Sequence, residues 1–225
     1  ALDGDADARQ ELLMVNAHPP QSLLRTIYDT LTDRYYGLSS LGLASIAERE
    51  NLADTLFPQL PSIAGIADTD ESKRALVRLW LAQWCLPGRG VWIPGMNGDW
   101  VNTPGGVRPH GGRFTVVDRW MQTTPNKNAF RRSWLPTLLA TFCEPQGINT
   151  FRLLATRVAL LTGGQWGYCE RCRHTQRPYP GTVRCVSCRA DEVRVLDPET
   201  DPVFHARKGY YRASSVRALS DPPEP

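Results

Sequence analysis

The sequence predicts an α+β chain: a mainly helical domain carrying a β-hairpin, followed by a small β module. Three observations predict it. Apolar residues recur at helical spacing in several segments before residue 163. An Asn97-Gly98 turn sits between two short aromatic runs, and two Cys-x-x-Cys pairs stand near the C-terminal end.

The helices come first. Residues 1–21 form an N-terminal extension whose His18-Pro19-Pro20 stops any helix begun at Arg9. From Ser22, the residues Leu23, Leu24, Ile27, Tyr28 and Leu31 recur at helical spacing up to Gly37. Ser39 and Ser40 can cap a second helix through Ala47, and a third runs from Asn51 to Phe57, before Pro58. The first two, joined by Tyr36-Gly-Leu-Ser39, superficially resemble a helix-turn-helix. The second is poor in base-reading side chains, so a helical hairpin with packed apolar faces is the better reading. The clearest helix runs from Ser72 to Leu86 behind Asp68-Thr69-Asp70-Glu71. Its Glu71-Ser-Lys73 mimics a nuclease motif, but acids at a helix start complement the helix dipole instead.

After Pro87-Gly88, Val91-Trp92-Ile93 and Asp99-Trp100-Val101 flank the Asn97-Gly98 turn, a strong hairpin signal, and Arg113–Trp120 reads as a third strand. This insertion, about residues 90–120, is compatible with a winged helix and equally with a hairpin that covers the core. Ser133 then caps a helix through Cys143, and Asn149-Thr150 caps another from Phe151 to Leu161, closed by Gly163-Gly164. Cys85 and Cys143 end apolar helices and read as buried thiols.

The strongest chemical signal is Cys169-Glu-Arg-Cys172 and Cys185-Val-Ser-Cys188, with twelve residues between the pairs. Four thiols so spaced can converge on one tetrahedral Zn²⁺. Two disulfides or redox pairs are the alternatives, but a redox pair is single and sits in a βαβ pattern, which is absent. The module reads as a zinc ribbon with a structural Zn²⁺ on Cys169, Cys172, Cys185 and Cys188. Its strands are Trp166–Tyr168, Thr182–Arg184 and Glu192–Leu196. His174 is a conceivable substitute ligand, though four cysteines already satisfy the metal.

No phosphate-binding loop, dinucleotide fingerprint, His-Glu-x-x-His or Gly-x-Ser-x-Gly occurs, and a closed four-cysteine zinc has no open position to activate water. The chain carries no recognisable catalytic centre. Net charge is +3 over 225 residues, and only Lys73, Lys127 and Lys208 are lysines. That arginine bias suits phosphate contacts, but a GC-rich genome would give it too. Its placement is more telling. Arg171, Arg173 and Arg184 lie at the knuckles, and Arg207, Lys208, Tyr210, Tyr211 and Arg212 form a basic run with aromatics. Cations meet phosphates and rings stack on bases, so these eight residues are the candidate nucleic-acid contacts. The alternative is a strand-turn-strand whose tyrosines pack the module while its arginines are solvated.

At these residues the chain resembles a zinc-bearing internal region of large bacterial superfamily-two DEAD/DEAH-box helicases, which include phage-defence and DNA-repair members. The order Tyr-Cys-x-x-Cys, Cys-x-x-Cys, acidic spacer, Phe204-x-x-Arg207-Lys208-Gly209-Tyr210-Tyr211-Arg212 carries the likeness over about the last sixty residues. Leu-Leu-Arg-x-Ile-Tyr-Asp-x-Leu and Arg34-Tyr-Tyr-Gly-Leu38 fit loosely, and the family's nucleotide-binding lysine and acidic magnesium box match nothing. The resemblance implies an accessory DNA-binding segment, with ATP hydrolysis elsewhere in the parent. A protein-docking module on the zinc platform is the alternative function.

The expected organisation is therefore an extension (1–21), a helical domain with the hairpin (22–163), the ribbon with its basic-aromatic run (164–217) and a linker-like tail (218–225). A first residue other than Met and the tail Asp221-Pro-Pro-Glu-Pro225 suggest a piece of something larger. Unpaired thiols and the lack of a signal-peptide pattern or apolar span suit a cytoplasmic protein with no membrane segment.

Overall fold

The computed structural model describes residues 19–86, 90–101, 106–110, 115–179 and 184–220. Its architecture is α+β, as expected. At its centre lies a helix, α3, while α1 and α2 precede it. Helix α1 (Gln21–Thr32) buries Leu24, Tyr28 and Thr32 on one face at intervals of four. Helix α2 spans Glu50–Leu56. Helix α3 (Asp70–Trp84) begins with a reciprocal cap: Thr69 Oγ1 accepts from the Ser72 amide at 3.2 Å, and Ser72 Oγ accepts from the Thr69 amide at 2.9 Å. Its Leu76, Leu79, Trp80 and Trp84 are fully buried and join the main core with Trp134, Leu138 and Phe142. Glu71 and Lys73 lie in its first turn and not on a strand. Among the described residues no helix is long and apolar enough to cross a membrane.

Several sequence expectations are corrected. The second helix through Ala47 is instead strand β1 (Ala44–Glu48), buried along its whole length and paired antiparallel with β5 (Val158–Thr162). A strand buried on both faces reads as a continuous apolar run, which periodicity cannot tell from a buried helix. Gly42 also interrupts any helix there, having φ +63° and a position where a Cβ would meet the Pro198 ring at 2.7 Å. The helix-turn-helix likeness ends with that helix.

The expected hairpin near 90–120 does not form among the described residues. Strand β2 (Val91–Trp92) pairs in parallel with β4 (Thr150–Leu154), and Asn97 caps a 3₁₀ turn, Gly98–Trp100, accepting from the Asp99 amide at 2.9 Å. The stretch expected as a third strand is helix α4 (Thr115–Trp120), which buries Val116, Val117 and Trp120. A hairpin does occur, but between β3 (Cys143–Gly147) and β4.

The helix expected from Ser133 starts earlier, at α5 (Thr124–Ala129) capped by Thr123. It passes through a π-helical segment, Phe130–Trp134, into α6 (Leu135–Phe142). Pro136 contributes no amide to the ladder, and the turn before it widens. Finally, the helix expected over Phe151–Leu161 is β4, a 3₁₀ corner at Ala155–Arg157 and β5. The corner resets the strand phase, so Leu154, Val158 and Leu161 imitate a helical stripe. Arg157 fixes it by donating to the carbonyls of Ala140, Thr141 and Cys143, which also cap α6.

Gly163 and Gly164, both left-handed, lead into the ribbon. Its sheet has the order β7 (Thr175–Gln176), β6 (Trp166–Cys169), β8 (Val193–Leu196), all antiparallel. Residues 180–183, where a further strand was expected to begin, lie outside the described residues, and Arg184 is in no strand. The basic-aromatic run is neither strand nor linker. It belongs to helix α7 (Pro202–Ser220), which extends into the expected tail. Residues 221–225 lie outside the described residues.

The ribbon is bolted to the helical part. Arg177, only 8% exposed, donates to Ser45 Oγ at 2.8 Å, Leu161 O at 2.6 Å, Gln165 O at 3.2 Å and Gly163 O, and stacks 4.0 Å from the Trp166 ring. Tyr179 and Val186 join the main core. Phe204 of α7 closes a second cluster with Trp166, Tyr168 and Leu196.

Candidate metal centre and nucleic-acid interface

The two knuckles are folded alike. In each, the amide four residues after the first cysteine bonds back to that cysteine's carbonyl (Arg173 to Cys169, 2.7 Å; Arg189 to Cys185, 2.9 Å). The first cysteine's own amide donates five residues ahead, to His174 O and Ala190 O, both at 2.9 Å. The amides of Cys172 and Cys188 point at Sγ of Cys169 and Cys185, each at 3.5 Å. These bonds turn both thiols of each pair inward.

The four Sγ atoms lie within 4.8 Å of one another, with Cys169–Cys188 at 3.6 Å and Cys172–Cys185 at 3.5 Å. A tetrahedron of thiolates at ~2.3 Å from a metal has edges of ~3.8 Å, so the donors stand close to a ligating geometry. All four cysteines are free of disulfides. The hydrogen bond from Cys185 holds the Cys172 thiol down at about 4, and the same bond pushes Cys185 up, as burial does Cys169. A bound cation is what lets all four ionise together. His174 is not part of the cluster. Its ring is buried, its Nδ1 has no partner, and burial pushes it down to about 4. Away from the cluster, burial pushes the Cys85 thiol up to about 12 and raises that of Cys143, as inert core thiols require.

Beside the first knuckle opens a concavity of about 480 Å³. Arg171, Cys172 and Arg173 form one wall, with Tyr168 beneath them. Arg207, Lys208 and Tyr211 of α7 form the second, and Arg34, Tyr35 and Tyr36, from the loop after α1, form the third. Five cations and four tyrosines line it, and no carboxylate does among the described residues. Asp33, at the head of the loop, is occupied: its Oδ1 accepts from the amides of Tyr35 and Tyr36, both at 2.6 Å. Glu170 pairs with Arg194. Arg34 Nη2 reaches Cys172 O at 3.5 Å, tying the loop to the knuckle.

Of the eight residues read from the sequence as nucleic-acid contacts, Arg171, Arg173, Arg207, Lys208 and Tyr211 come together here. Lys208 is buried, pushed down to about 8 by that burial, and its Nζ donates to Ser40 O at 2.7 Å. Arg212 also serves the fold, donating to Leu41 O and Gly42 O at 2.9 Å each and pairing with Glu199. Arg184 pairs with Asp191 at 2.7 Å. Tyr210 is exposed, 5.4 Å from the Tyr211 ring, and is not part of the lining. The sequence reading missed Arg34, Tyr35 and Tyr36. Their signal was there: Arg34-Tyr35-Tyr36-Gly37 has the same basic-aromatic character as the run in α7.

Compared with known proteins, the chain matches no family model, no curated protein and no solved structure.

Proposed function

We propose that the chain is an accessory nucleic-acid-binding segment, acting on DNA within or beside an ATP-dependent helicase, with a structural Zn²⁺ on Cys169, Cys172, Cys185 and Cys188. The observation that carries the reading is the groove: five cations, exposed aromatic rings and, among the described residues, no lining carboxylate on one concave face. Such a surface gives salt-sensitive affinity for a polyanion and offers nothing to a neutral or cationic partner. Zinc is the metal of choice for four closed thiolates, and the site has a scaffolding role because it leaves no ligand position for substrate. The helicase setting rests on the sequence resemblance alone.

The test is a DNA shift assay at low and high salt with Arg171→Glu and Arg207→Glu, both exposed. The double variant weakens binding at least about tenfold and flattens the salt dependence. Equal affinity of variant and parent sinks the reading.

A docking module is the second reading. Strand β8 is an edge of the ribbon sheet and leaves Val195 57% exposed, as a strand-adding partner would need. Its complex would form with little dependence on salt.

A further inference from the structure

We propose that the groove takes a single strand of nucleic acid, with bases seated on a tyrosine shelf and phosphates held along the arginine walls. The inference rests on the nucleic-acid reading above and specifies the ligand's form.

The shelf is built from two distant parts of the chain. Tyr36, from the loop after α1, meets Tyr211 of α7 with ring centroids 4.6 Å apart at 55°. Tyr35 continues it at 6.3 Å from Tyr36, and Tyr210, just outside the groove lining, stands 5.4 Å from Tyr211. All four are open to solvent, at 62% for Tyr35, 55% for Tyr36, 79% for Tyr210 and 44% for Tyr211. Single exposed aromatics need no explanation, but a contiguous run of four marks a contact surface. A strand with unstacked bases can use such faces; a duplex keeps its base faces against one another and presents only edges and phosphates.

The rest of the groove agrees. Its volume of about 480 Å³ is on the scale of one bound nucleotide. Tyr168, 1% exposed, lines it with an Oη that has no hydrogen-bond partner. A buried hydroxyl in that condition calls for a ligand group or water to complete it. Arg173 lines it from a left-handed backbone position, φ 63°, which favours glycine. The knuckle turn sets that conformation and places the Arg173 guanidinium on the wall.

The test uses the full chain loaded with zinc and fluorescence anisotropy on labelled oligothymidylate and on a duplex of equal length. The single strand binds about tenfold tighter than the duplex. Joint Tyr36→Ala and Tyr211→Ala substitution removes about tenfold of single-strand affinity and so narrows its lead over the duplex, whereas Tyr36→Phe with Tyr211→Phe retains it. Metal content and thermal midpoint, matched between variants and parent, certify the fold. Equal or tighter duplex binding, indifferent to the tyrosines, overturns the inference while leaving the nucleic-acid reading intact. Absence of binding to both oligonucleotides overturns both.

Discussion

Arg173 and Arg189 are counterparts: each follows the second cysteine of its knuckle, each is left-handed (φ 63° and 70°), and each donates its amide to the carbonyl of the first cysteine. The turn demands the backbone conformation, and arginine is a strained choice for it. At position 173 the strain coincides with a place on the groove wall.

Replacing Arg173 with glycine therefore separates stability from binding. Arg173→Gly raises stability by about 1 kcal/mol, since glycine enters the left-handed region without a Cβ clash. It also lowers DNA affinity severalfold. Urea titration and anisotropy on the same sample check the two outcomes; a loss of both contradicts the assignment.

Cys169→Ala or Cys185→Ala removes one donor from the cluster and releases the metal. Structural zinc is worth on the order of 10 kcal/mol to such a module, so β6 to β8 lose their order. Because Arg171 and Arg173 stand on the first knuckle, DNA binding falls with the metal. Metal analysis and anisotropy after treatment with a strong chelator check this, and a variant with full metal content refutes the ligand set.

Arg177→Met withdraws donors from four oxygens that join the ribbon to β1, β5 and the β5–β6 turn. Stability falls by ~2–4 kcal/mol, read as a lower urea midpoint at unchanged slope. Arg177→Lys rescues little, because one ammonium cannot span the four acceptors.

Asp201 heads α7, accepting from the Phe204 amide at 2.8 Å and from Arg194. The Arg194 bond, aided by that amide, holds its carboxyl down at about 2. A carboxyl depressed in the folded state contributes stability above its unfolded value near ~3.9, and loses it as pH falls through about 2. Asp201→Asn keeps a capping side chain but not the charge. Its stability deficit is constant from neutral pH to about 5, shrinks below ~4 and is gone near ~2, as urea midpoints across pH will show.

Much of the fold was legible where local chemistry decides it. The Asp68-Thr69-Asp70-Glu71 start, the helical spacing of Leu24, Tyr28 and Leu31, and the spaced cysteines announce α3, α1 and the metal cluster without tertiary help, although Leu23 and Ile27 of the same pattern are exposed. Ala44–Glu48 and Phe151–Leu161 were misread because their conformation is set by partners. The first is buried on every side, and the second is two strands folded at a corner that Arg157 pins from outside the segment. The candidate site was half legible for the same reason. Arg171, Arg173 and Arg207 flank obvious motifs, whereas Arg34 and Tyr36 gain meaning only through their approach to α7. Nor could sequence alone reveal that Lys208 and Arg212 are spent on the carbonyls of Ser40, Leu41 and Gly42.

Those carbonyls also fix an order of events. Ser40 O receives Thr175 from 135 residues away and Lys208 from 168, and Arg212 reaches Leu41 from 171. Loops that long close late, after local helices and the metal knuckles have formed. A chain leaving the ribosome thus has its tyrosines and arginines in hand early but scattered, and α7 must dock before they face one another. Topology alone makes the groove the last feature to assemble.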